Sequence, residues 1–237
     1  MTAPQAEHPA RKKARLRALL ATGGGVAALP SLERRHLASA VDWLALPRVI
    51  RSARTRVTQV GSARDLTFVA LEEDRLTRPH RELMHLAALT ETYLRLQEMR
   101  ELRGFMGPEE QWKLVTAQGH ARAHHLPDAE IVGTVIGKHG RDCAVEFDAG
   151  YDFGTIAQKL QGFAELGYRR VLWATSIHDR TQSVRSKAID LCLDGELTKL
   201  STLDVVWVDF WSAEDRYGPR PRCLKSNHTS LNFTDLP

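Results

Sequence analysis

The hydrophobic residues near the start of the chain recur at helical spacing. Between Arg11 and Ala21, Leu16 is followed three and four positions later by Leu19 and Leu20, among Arg and Lys side chains. This pattern predicts an amphipathic helix that ends at the Gly23-Gly24-Gly25 break. Residues 1–10 show no such pattern, and we expect them to be a disordered leader.

A second helix is predicted after Pro30, where Ser31 can cap it and Pro47 ends it. Its apolar stripe consists of Leu37, Val41 and Leu44. Arg34 and Arg35 lie in its first turn, so we expect the exposed face of this helix to be basic.

Short apolar segments around the turn residues Gly61 and Ser62 predict a β-hairpin. They are Val49 and Ile50, Val57 and Val60, and Leu66 to Ala70. Helices followed by a hairpin are typical of a winged helix-turn-helix domain, which we place at residues 11–78. In such a domain Arg34 and Arg35 would face the major groove of DNA. Other arginines would lie on or near the wing, beside phosphates: Arg51, Arg54, Arg56 and Arg64.

A long amphipathic helix is predicted from about Arg81 to Leu102, within a connecting segment at 79–103. Beyond Gly104, short apolar runs alternate with helical patterns, which favours an α/β domain at 104–212. The apolar runs are Ala129 to Ile136, Cys143 to Phe147, Arg170 to Thr175 and Leu203 to Phe210, and the helices are Phe153 to Leu166 and Arg180 to Leu193. From Ala213 onward we expect an irregular tail.

The balance of 43% apolar and 26% charged residues in 237 is typical of a soluble globular protein. Residues 1–60 hold 11 Lys and Arg against 3 Asp and Glu, a net charge of +8, and the remainder holds 22 against 26, a net charge of −4. The basic end suits phosphate binding, although a solvated basic tail is left open as an alternative. No apolar run or signal-peptide pattern directs the chain to a membrane, so we expect a cytoplasmic protein.

Acidic residues occur in the α/β segment where apolar ones are expected. Glu146 and Asp148 are two positions apart on a predicted strand and therefore point to the same face. Two buried carboxylates repel each other unless a cation lies between them. Asp128, on a neighbouring predicted strand, can supply a third carboxylate, so we expect these three acids to bind Mg²⁺ or Mn²⁺. An exposed edge strand is the alternative.

Lys159 lies on the predicted helix that follows, at the edge of its apolar stripe. A lysine over a carboxylate site can stabilise the charge that develops on a phosphoryl group, while a metal polarises that group and activates water. The residue pattern therefore predicts a phosphodiester-cleaving centre, with a solvated position of Lys159 as the alternative. For Tyr151, packing on the core is favoured over a nucleophilic role.

Pro127-Asp128, Glu146-x-Asp148 and a helical Lys159 resemble the PD-(D/E)xK nuclease superfamily, in a form whose motif lysine has moved from the strand to the next helix. Asp148 stands where a standard member has that lysine. More closely, LPDA at 126–129, VEFDAG at 145–150 and KLQGF at 159–163 resemble the replication-relaxation family of actinobacterial and plasmid proteins. Related metal-dependent relaxases of mobilisable plasmids share this nuclease-like core.

The resemblance implies an N-terminal winged helix followed by a restriction-endonuclease-like α/β core, in a protein of plasmid or mobile-element replication, mobilisation or maintenance. One hypothesis is a metal-dependent DNA endonuclease or nickase, in which Asp128, Glu146 and Asp148 bind the metal and Lys159 assists. The other is a catalytically silent DNA-binding replication or transcription factor, whose nuclease-like domain serves dimerisation or partner contact. Double-stranded DNA is the expected partner under both, and the sequence leaves homodimer formation open.

Overall fold

A computed structural model describes residues 7–55, 62–99, 106, 110–115, 126–133, 143–214 and 228–236. The contacts among these residues divide them into two compact units. Unit 1 contains the described residues within 1–55, 63–91 and 209–216, and unit 2 contains those within 56–62, 92–208 and 217–237. The chain passes from unit 1 to unit 2 within one long helix, where a connecting helix was predicted.

Unit 1 combines short helices with a three-stranded sheet. Its elements in chain order are α1 (Pro9–Thr22), β1 (Val26–Ala28), α2 (Leu29–Arg34), α3 (Ala38–Trp43), β2 (Arg48–Thr55), all but the first residue of β3 (Ser62–Ala70), a 3-10 helix (Glu73–Thr77) and the first part of α4 (His80–Glu98). The strands lie in the order β1-β3-β2, and β1 pairs with β3 in antiparallel orientation. The predicted first helix is therefore confirmed, and most of the predicted leader, residues 1–6, lies outside the described residues.

The prediction of one helix from Ser31 to Pro47 is wrong. Two short helices, α2 and α3, take its place, and His36 between them adopts a left-handed φ of 57°. Backbone hydrogen bonds from Leu37 to the carbonyl of Leu32 and from His36 to that of Glu33 form a Schellman cap, which buries both leucines. This turn could not be predicted from the sequence, because histidine occupies the position where glycine is usual.

Gly24, in the predicted helix break, allows the chain to pass very close to α4 within unit 1. A Cβ at this position would lie 1.9 Å from the carbonyl oxygen of Leu86. The Gly24 N–H donates to Oγ1 of Thr90 at 2.7 Å, and that hydroxyl donates to the Val26 carbonyl at 2.6 Å. Any side chain at Gly24 would therefore force the two segments apart.

Unit 2 contains a six-stranded mixed sheet in the order β4-β5-β6-β7-β8-β9. Its strands are β4 (Glu110–Leu114), β5 (Ala129–Gly133), β6 (Cys143–Asp148), β7 (Arg170–Thr175), β8 (Thr202–Trp207) and β9 (His228–Asn232), and its helices are α5 (Phe153–Glu165) and α6 (Arg180–Leu193). Strands β6, β7 and β8 are parallel, whereas β4, β5 and β9 run antiparallel to their neighbours. The predicted α/β class is confirmed.

The core of unit 2 lies between the sheet and helices α5 and α6. Large buried side chains from both layers meet there: Ile156, Leu160, Phe163, Tyr168, Trp173 and Val184. Strand β9 also reaches this core through Leu231, and a short 3-10 helix follows at Phe233–Asp235. The expectation of an irregular tail is therefore wrong for 228–232. Its pattern was too weak to predict a strand, because Leu231 is the sole apolar residue in HTSLN.

None of the helices in the described part of the chain combines the length and the hydropathy that a membrane crossing requires.

Candidate active site

The sheet register brings Asp128 and Glu146 together. Strands β5 and β6 pair with Ala129 opposite Val145, and the Asp128 N–H, just before β5, also donates to the Val145 carbonyl at 2.9 Å. Asp128 therefore lies beside the part of β6 that carries Glu146, and its negative charge acts on the Glu146 carboxyl. Oδ2 of Asp128 also accepts a hydrogen bond from the Phe147 N–H at 2.8 Å, which fixes the carboxylate beside β6.

Glu146 is fully buried in the centre of the sheet, on a strand that lies between β5 and β7. Its Oε1 accepts a hydrogen bond from the Tyr151 hydroxyl at 2.9 Å and lies 2.9 Å from Nζ of Lys159. Its Oε2 is buried and has no hydrogen-bond partner among the residues that the structure describes. The alternative of an exposed edge strand is therefore wrong for this residue.

Helix α5 positions Lys159. Asp152 caps the helix by accepting a hydrogen bond from the Thr155 N–H at 2.6 Å, and buried apolar side chains fix its inner face. The side chain of Lys159 is 14% exposed, and its ammonium donates to the Leu126 carbonyl at 2.9 Å as well as pairing with Glu146. The alternative of a solvated lysine is therefore wrong.

Burial governs the electrostatics of this cluster. It raises the pKa of Glu146 well above its ordinary value, and the negative charge of Asp128 raises it further, while Lys159 opposes the shift. The pKa of Tyr151 is raised as well, first by burial and then by the charge of Glu146. A further cation nearby would stabilise the ionised forms of both Glu146 and Tyr151 and so lower their pKa values.

Asp148 lies on the same sheet face but has different partners. Its Oδ1 accepts hydrogen bonds from the backbone N–H groups of Gly150 and Tyr151, both at 2.6 Å. Its Oδ2 accepts from Nε of Arg180 at 3.0 Å and from Nε1 of Trp173 at 3.4 Å. With four donors on two oxygens, this carboxylate is already satisfied by the protein.

The predicted convergence of three acids on one ion does not occur in the described part of the chain, where no three His, Cys, Asp or Glu side chains form a group that could hold a metal. Asp128 and Glu146 are brought together, with Lys159 beside them. Asp148 belongs to the neighbouring pair with Arg180. The donors available for a cation are therefore two carboxylates.

Sequence reasoning missed Arg180, which is the first residue of α6 and also donates to the Tyr151 carbonyl. Arginine at the start of a helix carries no distinctive spacing, so only the fold reveals its role. Tyr151 was assigned to the core, and its ring does pack edge-on against Trp173 at 6.2 Å. Its hydroxyl, however, reaches Glu146, a contact that sequence spacing does not indicate.

In unit 1, Arg34 and Arg35 are buried rather than exposed as predicted, with side chains 6% and 8% accessible. Both guanidinium groups lie 2.9 Å from Oε1 of Glu91 on α4, and Arg35 also bonds Oε2. Arg34 additionally donates to the backbone carbonyls of Asp209 and Ser212. The prediction of an exposed basic face is wrong at these positions, because the buried carboxylate of Glu91 pairs with both arginines.

Other predicted DNA-contacting arginines are exposed on the strands of unit 1. Arg51 and Arg54 lie on β2, and Arg64 lies on β3. Arg56 lies outside the described residues. Contact with DNA stays a prediction for all of them.

The fold and the site together define a mixed α/β protein with a buried carboxylate and lysine centre. The chain belongs to the replication-relaxation family, whose family model matches residues 51–177, more than half of the 237 residues. This confirms the resemblance drawn from the motifs and points to a role in replication or mobile-element processes. Searches of curated proteins and of solved structures found no match.

Proposed function

We propose that this protein binds DNA and cleaves its phosphodiester backbone with a divalent metal, in the replication or mobilisation of plasmids or other mobile elements. Unit 2 is the nuclease domain. The observation that carries the proposal is the group of Asp128, Glu146 and Lys159, in which a buried carboxylate faces a second carboxylate and pairs with a lysine at 2.9 Å.

The order of these residues in the fold supports a PD-(D/E)xK assignment. Pro127 and Asp128 precede β5, Glu146 lies in the antiparallel strand β6, and Lys159 comes from the helix that follows. Strand β7 then returns parallel to β6. The lysine reaches the acidic pair from α5, as the motif comparison implies.

A hard divalent cation fits the donor set of this site. Mg²⁺ is commonly bound by one or two carboxylates, with water and substrate phosphate completing its shell. Asp128 and Glu146 would hold it, and the unpartnered Oε2 of Glu146 is a buried acceptor that such an ion would satisfy. When bound, the ion would polarise the phosphoryl group and lower the pKa of water.

Lys159 and Tyr151 orient the Glu146 carboxylate for metal binding. Both hold its Oε1, so the orientation of the carboxylate is fixed from the side opposite to Oε2. An ammonium has three N–H donors, of which the contacts to Leu126 and Glu146 use two. The third is available to a phosphate oxygen, where it would offset negative charge that develops during cleavage.

Unit 1 is the DNA-binding domain in this proposal, with a winged-helix fold and duplex DNA as partner. The order α1-β1-α2-α3-β2-β3 and the sheet order β1-β3-β2 support the assignment. Because Glu91 holds Arg34 and Arg35, the contacts to phosphates are assigned to the exposed Arg51, Arg54 and Arg64.

Incubation of supercoiled plasmid with the full chain and Mg²⁺ or Mn²⁺ tests the proposal. We expect relaxed or linear product from the wild type and none with EDTA. Glu146→Gln and Lys159→Met should abolish cleavage but retain DNA binding. Asp190→Asn, which removes an exposed acid on α6, is the matched control and should cleave normally. An intact plasmid with wild-type protein under both metals, despite DNA binding, would exclude the nuclease.

One observation favours a second candidate function, a catalytically silent DNA-binding factor. Glu146 is fully enclosed and its Oε1 already has two donors, so Lys159 is able to stand in for the metal as a structural counterion. The nuclease-like domain would then serve dimerisation or partner contact. This function predicts a plasmid left intact by the wild type and a dimer in sedimentation experiments.

A further inference from the structure

Phe153 is an exposed aromatic residue at the rim of the candidate active site. It is the first residue of α5, and its exposure is 54%, although large apolar side chains of unit 2 are mostly buried. It is not needed to anchor the start of the helix. The flanking positions Tyr151 and Ile156, which usually form the hydrophobic staple, already belong to or pack against the core.

Arg180 lies against the ring of Phe153. Its Cζ is 5.7 Å from the ring centroid, within the range of a cation–π contact. The guanidinium is held in place, because Nε donates to Asp148 and another nitrogen donates to the Tyr151 carbonyl. A fixed guanidinium group, paired with Asp148, therefore lies beside an exposed aromatic ring.

This pair is linked to the proposed metal ligands. Tyr151, two residues before Phe153, donates its hydroxyl to Glu146, and Arg180 binds Asp148 two residues after Glu146. Phe153 is therefore connected through Tyr151 and Arg180 to both acidic residues of β6.

We infer that Phe153 is a base-stacking residue, which takes an unpaired base of DNA onto its ring while Arg180 attracts the adjoining phosphate. This rests on the proposed function. Among the described residues Phe153 is a single exposed ring beside the charged Asp152 and Arg180. That is too small for a protein interface, which needs roughly 800 Å² per partner, whereas it matches one base. Bases within a duplex are already stacked, so the occupant is a single-stranded or extruded nucleotide.

The test is binding of the full chain to a mixed-sequence single-stranded 12-mer that carries one 2-aminopurine, measured in EDTA so that no cleavage occurs. Stacking quenches the fluorescence of this base. We expect the wild type to quench it, and Phe153→Ala to lose the quench with about tenfold weaker binding of the single strand. Phe153→Trp should retain both, whereas Phe153→Leu, which keeps the apolar bulk without a π-face, should behave like the alanine variant.

Leu193→Ala is the matched control, since Leu193 is 57% exposed on α6 and loses the same kind of surface. Its quench and affinity should equal those of the wild type. An unchanged quench and affinity in Phe153→Ala would overturn the stacking role, even with an active nuclease. If the wild type does not cleave DNA but the quench still depends on Phe153, the proposed cleavage would be refuted and the base-stacking role would be retained.

Discussion

Nζ of Lys159 lies 2.9 Å from Oε1 of Glu146, while Oε2 of the same carboxylate has no partner within the described part of the chain. The lysine compensates one side of a fully buried acid and leaves the other side unsatisfied. A buried charge that is only partly compensated costs free energy. In a fully compensated ion pair both oxygens would have partners, whereas Oε2 of Glu146 has none among the described residues.

Replacement of Lys159 by methionine should destabilise the protein, because it leaves the carboxylate of Glu146 without its cation. Breaking a buried ion pair costs about 3–5 kcal/mol, and we expect the lower end because Glu146 can take up a proton instead. Urea unfolding at pH 8 measures the loss. The matched control is Lys199→Met, at an exposed lysine, which should change stability by less than about 0.5 kcal/mol. Equal effects of the two substitutions would contradict the ion pair.

The free energy of unfolding of Glu146→Gln should increase relative to that of the wild type as the pH rises. In the unfolded chain Glu146 ionises near its ordinary pKa of 4.5, and in the folded protein its pKa is raised. Between these two values the folded state binds more protons, so wild-type stability falls with increasing pH. The variant carries no titrating proton at this position. Unfolding of both proteins in EDTA from pH 4 to 9 measures the difference, and a difference independent of pH would show that the pKa of Glu146 is not raised.

Glu91→Gln should strongly destabilise unit 1. Burial alone would raise the pKa of Glu91, but Arg35 and Arg34 outweigh it and hold the pKa below 4.5. The stabilising contribution of the carboxylate is therefore present above pH 4.5 and is lost as the pH falls through its lowered folded pKa. At pH 7 we expect a loss of about 3–5 kcal/mol in thermal or urea unfolding.

The control for this experiment lies on the same helix. Glu82 pairs with Arg78 at the surface, where both side chains are at least 40% exposed. Glu82→Gln should therefore cost at most about 0.5 kcal/mol. If the two glutamine variants lose similar stability, the cluster around Glu91 contributes no more than a surface pair.

Simultaneous replacement of Arg51, Arg54 and Arg64 by glutamine should weaken duplex DNA binding and flatten its salt dependence. Each phosphate contact that is lost reduces the slope of log K against log salt by about 0.9, so three contacts change it by roughly 2–3. Fluorescence anisotropy from 50 to 300 mM NaCl measures the slope. Arg169→Gln removes an exposed arginine in unit 2 and should leave it unchanged. An unaltered slope in the triple variant would remove DNA contact from β2 and β3.

Regular periodicity made much of unit 2 predictable. Helix α6 was predicted at its observed bounds, and α5 differs by one residue, because apolar positions recur every three or four residues there. Strands β6 and β7 were evident as continuous apolar runs, as expected of strands buried on both faces. Strand β4 was not predicted, because EQWKL has too few apolar residues for a distinct pattern.

The candidate site was predictable in its acids but not in its partners. Alternation along β6 placed Glu146 and Asp148 on one face, and the neighbouring predicted strand and the following predicted helix supplied Asp128 and Lys159. Sequence spacing could not show that Arg180 pairs with Asp148, because the two residues are 32 positions apart and are brought together only by the fold. The same holds for Arg34 and Arg35, which meet Glu91 more than 50 positions away.

The pair of Asp148 and Arg180 makes substitutions at these two positions interdependent. A lysine introduced alone at position 148 would set two cations against each other and leave two backbone N–H groups without their acceptor. A lysine at position 148 would avoid this repulsion only if Arg180 were replaced as well, so the two positions depend on each other.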